Sequence, residues 1–112
     1  MSSETVHVGP IIFADETARG QLLDEGEVVT YRTSPRTTGD TWARWSRTGP
    51  KEADVTVEEI DADGLLGEML EPFVDLSGFD SLQDWMDAIE ELNGERPIAG
   101  GWLYRVELEA RT

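Results

Sequence analysis

The apolar side chains between residues 81 and 93 repeat with the period of an α-helix. They form one stripe, made of Leu82, Trp85, Met86, Ile89 and Leu92. Ser81 and Asp84 fit a capping box at the start, and Gly94 fits the glycine that often follows a helix. The acids of this segment lie away from the stripe and are interpreted as a hydrated face: Asp84, Asp87, Glu90 and Glu91. The sequence therefore predicts an amphipathic helix that covers another layer.

Strand-like segments surround this helix. Trp102, Tyr104, Val106 and Leu108 share one face of a predicted strand over residues 102–109, and Gly100-Gly101 forms the turn that leads into it. Other strands are predicted at Val6–Phe13, Val28–Arg32, Thr41–Ser46 and Val55–Ile60. Because strands dominate and helices fall between them, we expect an α+β fold, a small β-barrel with two or three inserted helices.

Two further helices complete the predicted elements. The first begins at Asp15 as N-cap, buries Ala18, Leu22 and Leu23, and ends at Gly26. The second runs from Leu65 to Leu70 and is ended by Pro72. No repeat and no linker divides residues 1–112, so we expect a single domain.

The charge balance is strongly acidic. Twenty-four acidic residues stand against eight Arg and one Lys, a net charge of −15. Acid-rich, lysine-poor chains are typical of a salt-loaded cytoplasm, where such surfaces stay hydrated, so we expect a cytoplasmic, monomeric protein from a halophilic archaeon. The alternative is an ordinary acidic domain that binds a basic protein partner. No stretch approaches the roughly 18 continuous apolar residues of a membrane span.

Metal and cofactor chemistry find little support. The chain has no cysteine, which excludes disulfides and thiolate metal sites. His7 is the only histidine and lies in an apolar stretch, so it is interpreted as structural. Asp61-Ala62-Asp63-Gly64 resembles the start of a calcium loop, but the sixth and twelfth positions, Leu66 and Pro72, do not fit one. We expect neither a metal nor a cofactor.

The basic side chains are concentrated in one segment. Residues 32–51 contain five of the nine basic groups and one acid, Asp40. The basic groups are Arg32, Arg36, Arg44, Arg47 and Lys51, and the aromatic residues set beside them are Tyr31, Trp42 and Trp45. Guanidinium groups hold phosphates and aromatic rings stack on bases, so this segment is predicted to bind RNA or a nucleotide. Charge balance around a loop is the alternative interpretation.

Two tryptophans of this segment differ in parity along the predicted strand. Trp42 and Trp45 should therefore point to opposite faces of the sheet. We expect one of them in the core and the other exposed or lining a groove.

The order of the segments resembles the ASCH domain of the PUA-like superfamily over nearly the whole chain. The matching pieces are Leu22-Leu23-Asp24-Glu25-Gly26, Val28-Val29-Thr30-Tyr31-Arg32, the Gly39-Asp40 turn, Val55-Thr56-Val57, Ser77-Gly78-Phe79, the amphipathic helix and the closing strand. The resemblance implies a compact β-barrel with a cleft beside the Thr-x-Arg strand that binds RNA or nucleotides.

Some members of that family are amidohydrolases that deacetylate N4-acetylcytidine with a Lys, a Thr and a Glu. The resemblance places the Thr at Thr30 and the accompanying Arg at Arg32. The Lys position is Glu27 here and the Glu position is Ser77, with Asp75 the nearest acid. Thr needs a base or a nearby cation to act as a nucleophile, and a carboxylate in place of the Lys acts in the wrong direction.

The function expected from the sequence is therefore binding without chemistry, with Thr30 in the cleft. The alternatives are an amidohydrolase that acts on modified nucleosides through Thr30, and a module whose acidic face meets a basic protein. A hydrolase should have a closed, nucleoside-sized pocket at Thr30, and an RNA binder should have an open basic groove.

Overall fold

A five-stranded sheet organises the protein in the computed structural model, which describes residues 10–33, 36, 38–61, 64–95, 97 and 100–109. The strands in chain order are Ile11–Ile12 (β1), Glu27–Arg32 (β2), Gly39–Arg44 (β3), Ala53–Ile60 (β4) and Trp102–Leu108 (β5). Their order across the sheet is β1-β3-β4-β5-β2. β1 runs parallel to β3, and the other neighbours are antiparallel. The sheet curls into a half-barrel with β1 and β2 at its two edges.

The first helix, Glu16–Glu25 (α1), connects the two edge strands. Asp15 caps it as predicted, because its Oδ1 accepts bonds from the backbone N–H groups of Thr17 at 2.8 Å and Ala18 at 3.2 Å. Gly26 ends it with a φ of 85°, the left-handed conformation that a glycine tolerates. Only Ala18 and Leu22 of the helix are buried. Leu23 is 51% exposed, so the predicted apolar face is one residue narrower than expected.

The remaining helices form one layer. Leu66–Leu70 (α2) continues into a 3₁₀ helix, Glu71–Leu76, and the chain then enters Leu82–Asn93 (α3). The α-helix ends at Leu70, as predicted, and Pro72 lies in the first turn of the 3₁₀ helix that follows, where its missing N–H removes no hydrogen bond. Ser81 caps α3 by accepting a bond from the N–H of Asp84 at 3.1 Å. These are the boundaries that the sequence predicts for α3.

The sheet is covered on both faces. The α1 cluster, on one face, contains Ile11, Phe13, Ala18, Leu22, Val28, Ala43, Val55, Val57, Tyr104 and Val106. The α3 cluster, on the other, contains Val29, Tyr31, Leu66, Met69, Leu70, Trp85, Ile89 and Leu103. Strand β2 contributes to both, because successive side chains of a strand point to opposite faces.

The structure confirms the α+β class and differs from the predicted elements at several ends. Strand β3 begins at Gly39 and ends at Arg44, so Gly39-Asp40 belongs to the strand rather than to a turn, and Trp45 lies beyond the strand. β1 is seen at Ile11–Ile12; the earlier part of the predicted strand and His7 lie outside the described residues, as do Ala62 and Asp63 of the acidic turn.

Candidate functional site

A pocket of about 230 Å³ lies along the free edge of β2. Five consecutive residues, 29–33, form one wall. The facing walls come from the segment that follows β1, from α1, from the end of the 3₁₀ helix and from α3: Phe13, Ala14, Asp15, Ala18, Ser77, Phe79, Trp85, Ala88, Ile89, Leu92 and Asn93. The volume is below the roughly 300 Å³ at which drug-sized sites begin, so the pocket suits one ring system with its substituents.

Arg32 supplies a positive charge to the pocket. Its guanidinium carbon lies 5.1 Å from the centroid of the Phe13 ring, and its Nε donates a bond to Thr30 Oγ1 at 3.2 Å. Within the described part of the chain, Arg32 forms no ion pair with a carboxylate. Burial, and secondly the nearby charge of Arg36, lower its pKa to about 10, against an opposing effect of Tyr104, so the group is a cation at neutral pH.

Arg36 adds a second positive charge to the pocket wall. Its backbone N–H donates a bond to the hydroxyl of Tyr104 at 2.7 Å. Tyr104 is fully buried in the α1 cluster, so this bond anchors the backbone of residue 36 to the core. The two arginines therefore face one cavity although the intervening segment contains Pro35.

Thr30 lies at the base of the same wall and is buried. The partner of its hydroxyl is the Arg32 guanidinium, which donates and cannot accept a proton. Glu27 differs from Thr30 in parity along β2 and pairs with Arg105 at 3.5 Å. The position at which the resemblance implies a lysine is thus occupied by a carboxylate directed to the other face.

Ser77 and Gly78 shape the wall beside α1. Ser77 is fully buried; its Oγ donates to the carbonyl of Val74 at 2.7 Å and accepts from the N–H of Phe79 at 3.1 Å. Gly78 has a φ of 90°, and a Cβ there would lie 2.7 Å from the carbonyl oxygen of Thr17. Only glycine permits this approach. Ser77 is thereby a structural hydroxyl, and the nearby Asp75 is exposed and outside the pocket wall.

The other predicted arginines do not join this pocket. β4 and β5 lie between β2 and β3 in the order of the sheet, and Arg44 does not line the pocket. Arg44 and Trp42 also have the opposite parity to Ala43 of the α1 cluster, and they stack together with 5.5 Å from guanidinium carbon to ring centroid. One connected surface from Arg32 through Arg44 stays a prediction.

The predicted binding residues that follow β3 do not line the pocket either. Lys51 pairs with Asp54 at 2.7 Å, and Arg47 is exposed. Trp45 packs against the α1 cluster, and the guanidinium carbon of Arg19 lies 5.8 Å from its ring centroid. Both tryptophans are half-buried, so the expected division into one core and one exposed ring is not seen. The strand ends before Trp45, and the parity argument no longer applies to it.

Tyr31 lines the pocket but does not offer an open stacking face. It is 7% exposed, and its hydroxyl donates to the carbonyl of Gly100 at 2.9 Å. Burial raises the pKa of this phenol. The apolar contacts that the pocket offers come instead from Phe79 and Leu92.

Sequence reasoning missed the pocket walls outside the basic segment. Phe13, Phe79 and the α3 residues were interpreted as strand, motif or core positions. Tyr104 was interpreted only as one of an apolar alternation. A phenol in an otherwise apolar alternation is a signal, because a buried tyrosine hydroxyl requires a hydrogen-bond partner.

Among the described residues, no helix has the length and apolar character needed to cross a membrane. Scans against protein-family models, curated proteins and solved structures find no match to this chain.

Proposed function

We propose that this domain binds a nucleotide in the pocket beside β2, with its phosphate on Arg32 and Arg36. The observation that supports the proposal best is the position of Arg32: a cation in the pocket wall, without a carboxylate partner among the described residues. A buried charge is costly unless it is paired, so an anionic ligand would stabilise this arrangement.

The pocket offers complementary features for the rest of such a ligand. Phe79 supplies aromatic surface, and the Thr30 hydroxyl and Asn93 supply polar contacts. The edge of β2 that is not paired in the sheet adds backbone groups that can bond to the rim of a base, because β5 occupies only one side of that strand. We extend the proposal to membership of the PUA-like fold and to a salt-loaded cytoplasm as the working environment.

Amidohydrolysis is the second candidate, and the pocket at Thr30 is the observation that favours it. The surroundings of the hydroxyl supply a cation, Arg32, but no base. Asp15, the only carboxylate in the described pocket wall, already accepts two backbone bonds through Oδ1. Because no acceptor for the Thr30 proton is placed among the described residues, binding is the better-supported function.

Calorimetric titration with adenosine and uridine 5′-monophosphate, beside the two nucleosides, tests the proposal. We expect the monophosphates to bind at least about tenfold more tightly than the nucleosides, the ratio that one charge-assisted contact of about 1.4 kcal/mol gives. Arg32→Gln should abolish that ratio while nucleoside binding is retained. Arg44→Gln, which removes the same charge from outside the pocket, is the matched control and should behave like the native protein.

Equal affinity for nucleosides and monophosphates, or equal effects of the two arginine variants, would contradict the proposal. Thermal unfolding of both variants should be recorded beside the titrations. An unchanged unfolding transition shows that a variant has lost a contact with the ligand, whereas a weakened transition shows that it has lost folded structure.

A further inference from the structure

The pocket beside β2 shares a wall with an acidic cleft. Asp15, Phe79 and Ala88 line both cavities. The cleft is otherwise formed by the hydrated side of α3 and contains five carboxylates: Asp15, Asp84, Asp87, Glu90 and Glu91. A cavity with two arginines therefore opens beside a cavity with five acids.

The two cavities occupy adjacent sides of α3. Trp85, Ile89 and Leu92 face the pocket, and Asp84, Asp87 and Glu91 recur at the three- and four-residue spacing of a second helical face. Ala88 lies between these faces and has no side chain beyond Cβ to separate them. The acids therefore stand directly beside the pocket mouth.

The described residues contain no cluster of three carboxylate, imidazole or thiol groups arranged to hold a metal ion. The acids of the cleft thus act on the pocket through their field. At physiological ionic strength that field extends over a Debye length of about 8 Å.

From this arrangement we infer that the pocket accepts a single nucleotide and rejects a nucleotide strand, and that the α3 acids are the specificity determinants. The inference rests on the proposed nucleotide function. A mononucleotide can place its phosphate on Arg32 and Arg36 inside the pocket. Further phosphates of a strand must lie outside the mouth, within the range of the acids, where like charges repel.

The size of the pocket also favours a single nucleotide over a strand. About 230 Å³ leaves no room for a second base. A strand would gain little contact outside the pocket to offset the repulsion, because Arg44 and Trp42 lie on the other face of the sheet and Lys51 is paired with Asp54. The volume of the pocket limits the ligand to one nucleotide, and the charge of the α3 acids disfavours further phosphates outside the pocket.

The test compares each nucleoside monophosphate with a hexanucleotide of the same base, 5′-phosphorylated, by competition at low and at molar KCl. At low salt we expect the hexanucleotide to bind about five- to tenfold more weakly per strand, because the repulsion between its outer phosphates and the acids is then only weakly screened. In molar KCl the Debye length falls to about 3 Å, and the ratio should approach one.

A charge-neutralised variant assigns the effect to the cleft. Asp84→Asn combined with Glu91→Gln should raise hexanucleotide affinity several-fold at low salt and change monophosphate affinity less than about twofold, because only the strand reaches the acids. Asp24→Asn combined with Glu25→Gln is the control. It changes net charge equally, but about 14 Å beyond Asp15 along α1, at 1.5 Å per residue.

The outcomes separate the two proposals. A native protein that binds monophosphates and binds the hexanucleotide as well or better would overturn the inference and leave the nucleotide function standing. Equal gains in the cleft variant and the control would also overturn it, since net charge would then be the cause. Failure of the native protein to bind either ligand would contradict the nucleotide function and the inference together.

Discussion

The guanidinium carbon of Arg32 lies 5.1 Å from the centroid of the Phe13 ring. Phe13 follows edge strand β1 and donates its N–H to the carbonyl of Arg44 at 2.9 Å, whereas Arg32 ends the opposite edge strand β2. One cation–ring contact thus spans the two edges of the half-barrel. The same guanidinium borders the pocket, so closure of the sheet and the proposed anion site depend on one side chain.

Removal of the Phe13 ring should weaken the contact between the two edges of the half-barrel. We expect Phe13→Leu to destabilise the protein by about 1–3 kcal/mol, because a fully packed aromatic side chain is replaced by a smaller one. A double-mutant cycle with Arg32→Met isolates the pair and should give a coupling of about 0.5–1 kcal/mol in urea unfolding. Additive single effects would mean that the contact contributes nothing.

The two glycines before β5 should differ in their response to substitution. Both have positive φ, 83° at Gly100 and 91° at Gly101, so Ala costs about 1–2 kcal/mol of backbone strain at either. A Cβ at Gly101 would also collide with the Tyr31 ring, whereas at Gly100 it meets open space. Gly101→Ala should therefore lower the free energy of unfolding by at least 1 kcal/mol more than Gly100→Ala, as read from urea midpoints. Similar losses in the two variants would contradict the close approach.

Tyr31 should make stability depend on alkaline pH. Burial raises its pKa above 10.0, so the unfolded chain releases the phenol proton first. Since the unfolded state then binds fewer protons, the free energy of unfolding falls as pH rises above that value. Urea unfolding of the native protein and of Tyr31→Phe, compared at neutral pH and above pH 10, should show the smaller pH-dependent loss in the variant. An identical loss in both proteins would assign the effect to other groups.

Thr30 provides the test of catalysis. Because its hydroxyl contacts the donor Arg32, we expect no acetate release from N4-acetylcytidine by the native protein beyond the uncatalysed rate. Thr30→Val, which keeps the shape, should leave that rate unchanged. Rapid acetate release that disappears in Thr30→Val would instead establish the hydrolase.

Salt should stabilise the fold. A net charge of −15 on 112 residues implies mutual repulsion that ions screen. We expect the melting temperature to rise by roughly 5–10 °C from dilute buffer to molar KCl, the shift that about 1–2 kcal/mol gives in a domain of this size. Sucrose at matched osmolarity is the control and should have a smaller effect, since it does not screen charge. A melting temperature independent of KCl would contradict the halophilic proposal.

Local chemistry made much of the secondary structure predictable. Asp15 and Gly26 mark the ends of α1, and Ser81 and Gly94 mark those of α3, because caps act through bonds to residues only a few positions away. Pro72 correctly indicated that the α-helix ends at Leu70, but the 3₁₀ helix that follows was not predicted, because a proline is tolerated in the first turn of a helix.

The site was predictable only in part, because sheet order is not a local property. Arg32 and Arg44 are twelve positions apart in sequence, yet two strands separate β2 from β3 in the sheet. Arg32 and Arg36 were identified from their charge, and Thr30 from the resemblance. The opposing wall on α3 comes from residues more than fifty positions later, and no spacing in the sequence connects it to β2.

Strand β5 lies between β4 and β2, and its position has a consequence for synthesis of the protein. Among the described strands, β2 pairs only with β5. Two further hydrogen bonds join the β2 region to residues near β5: Tyr31 to Gly100, across 69 positions, and residue 36 to Tyr104, across 68 positions. A growing chain that has not yet produced residues 100–108 holds β2 without a neighbour, so its pocket wall cannot form. Such non-local pairing folds slowly and leaves strand edges open to other chains. The pocket should therefore form on the ribosome only after β5 emerges.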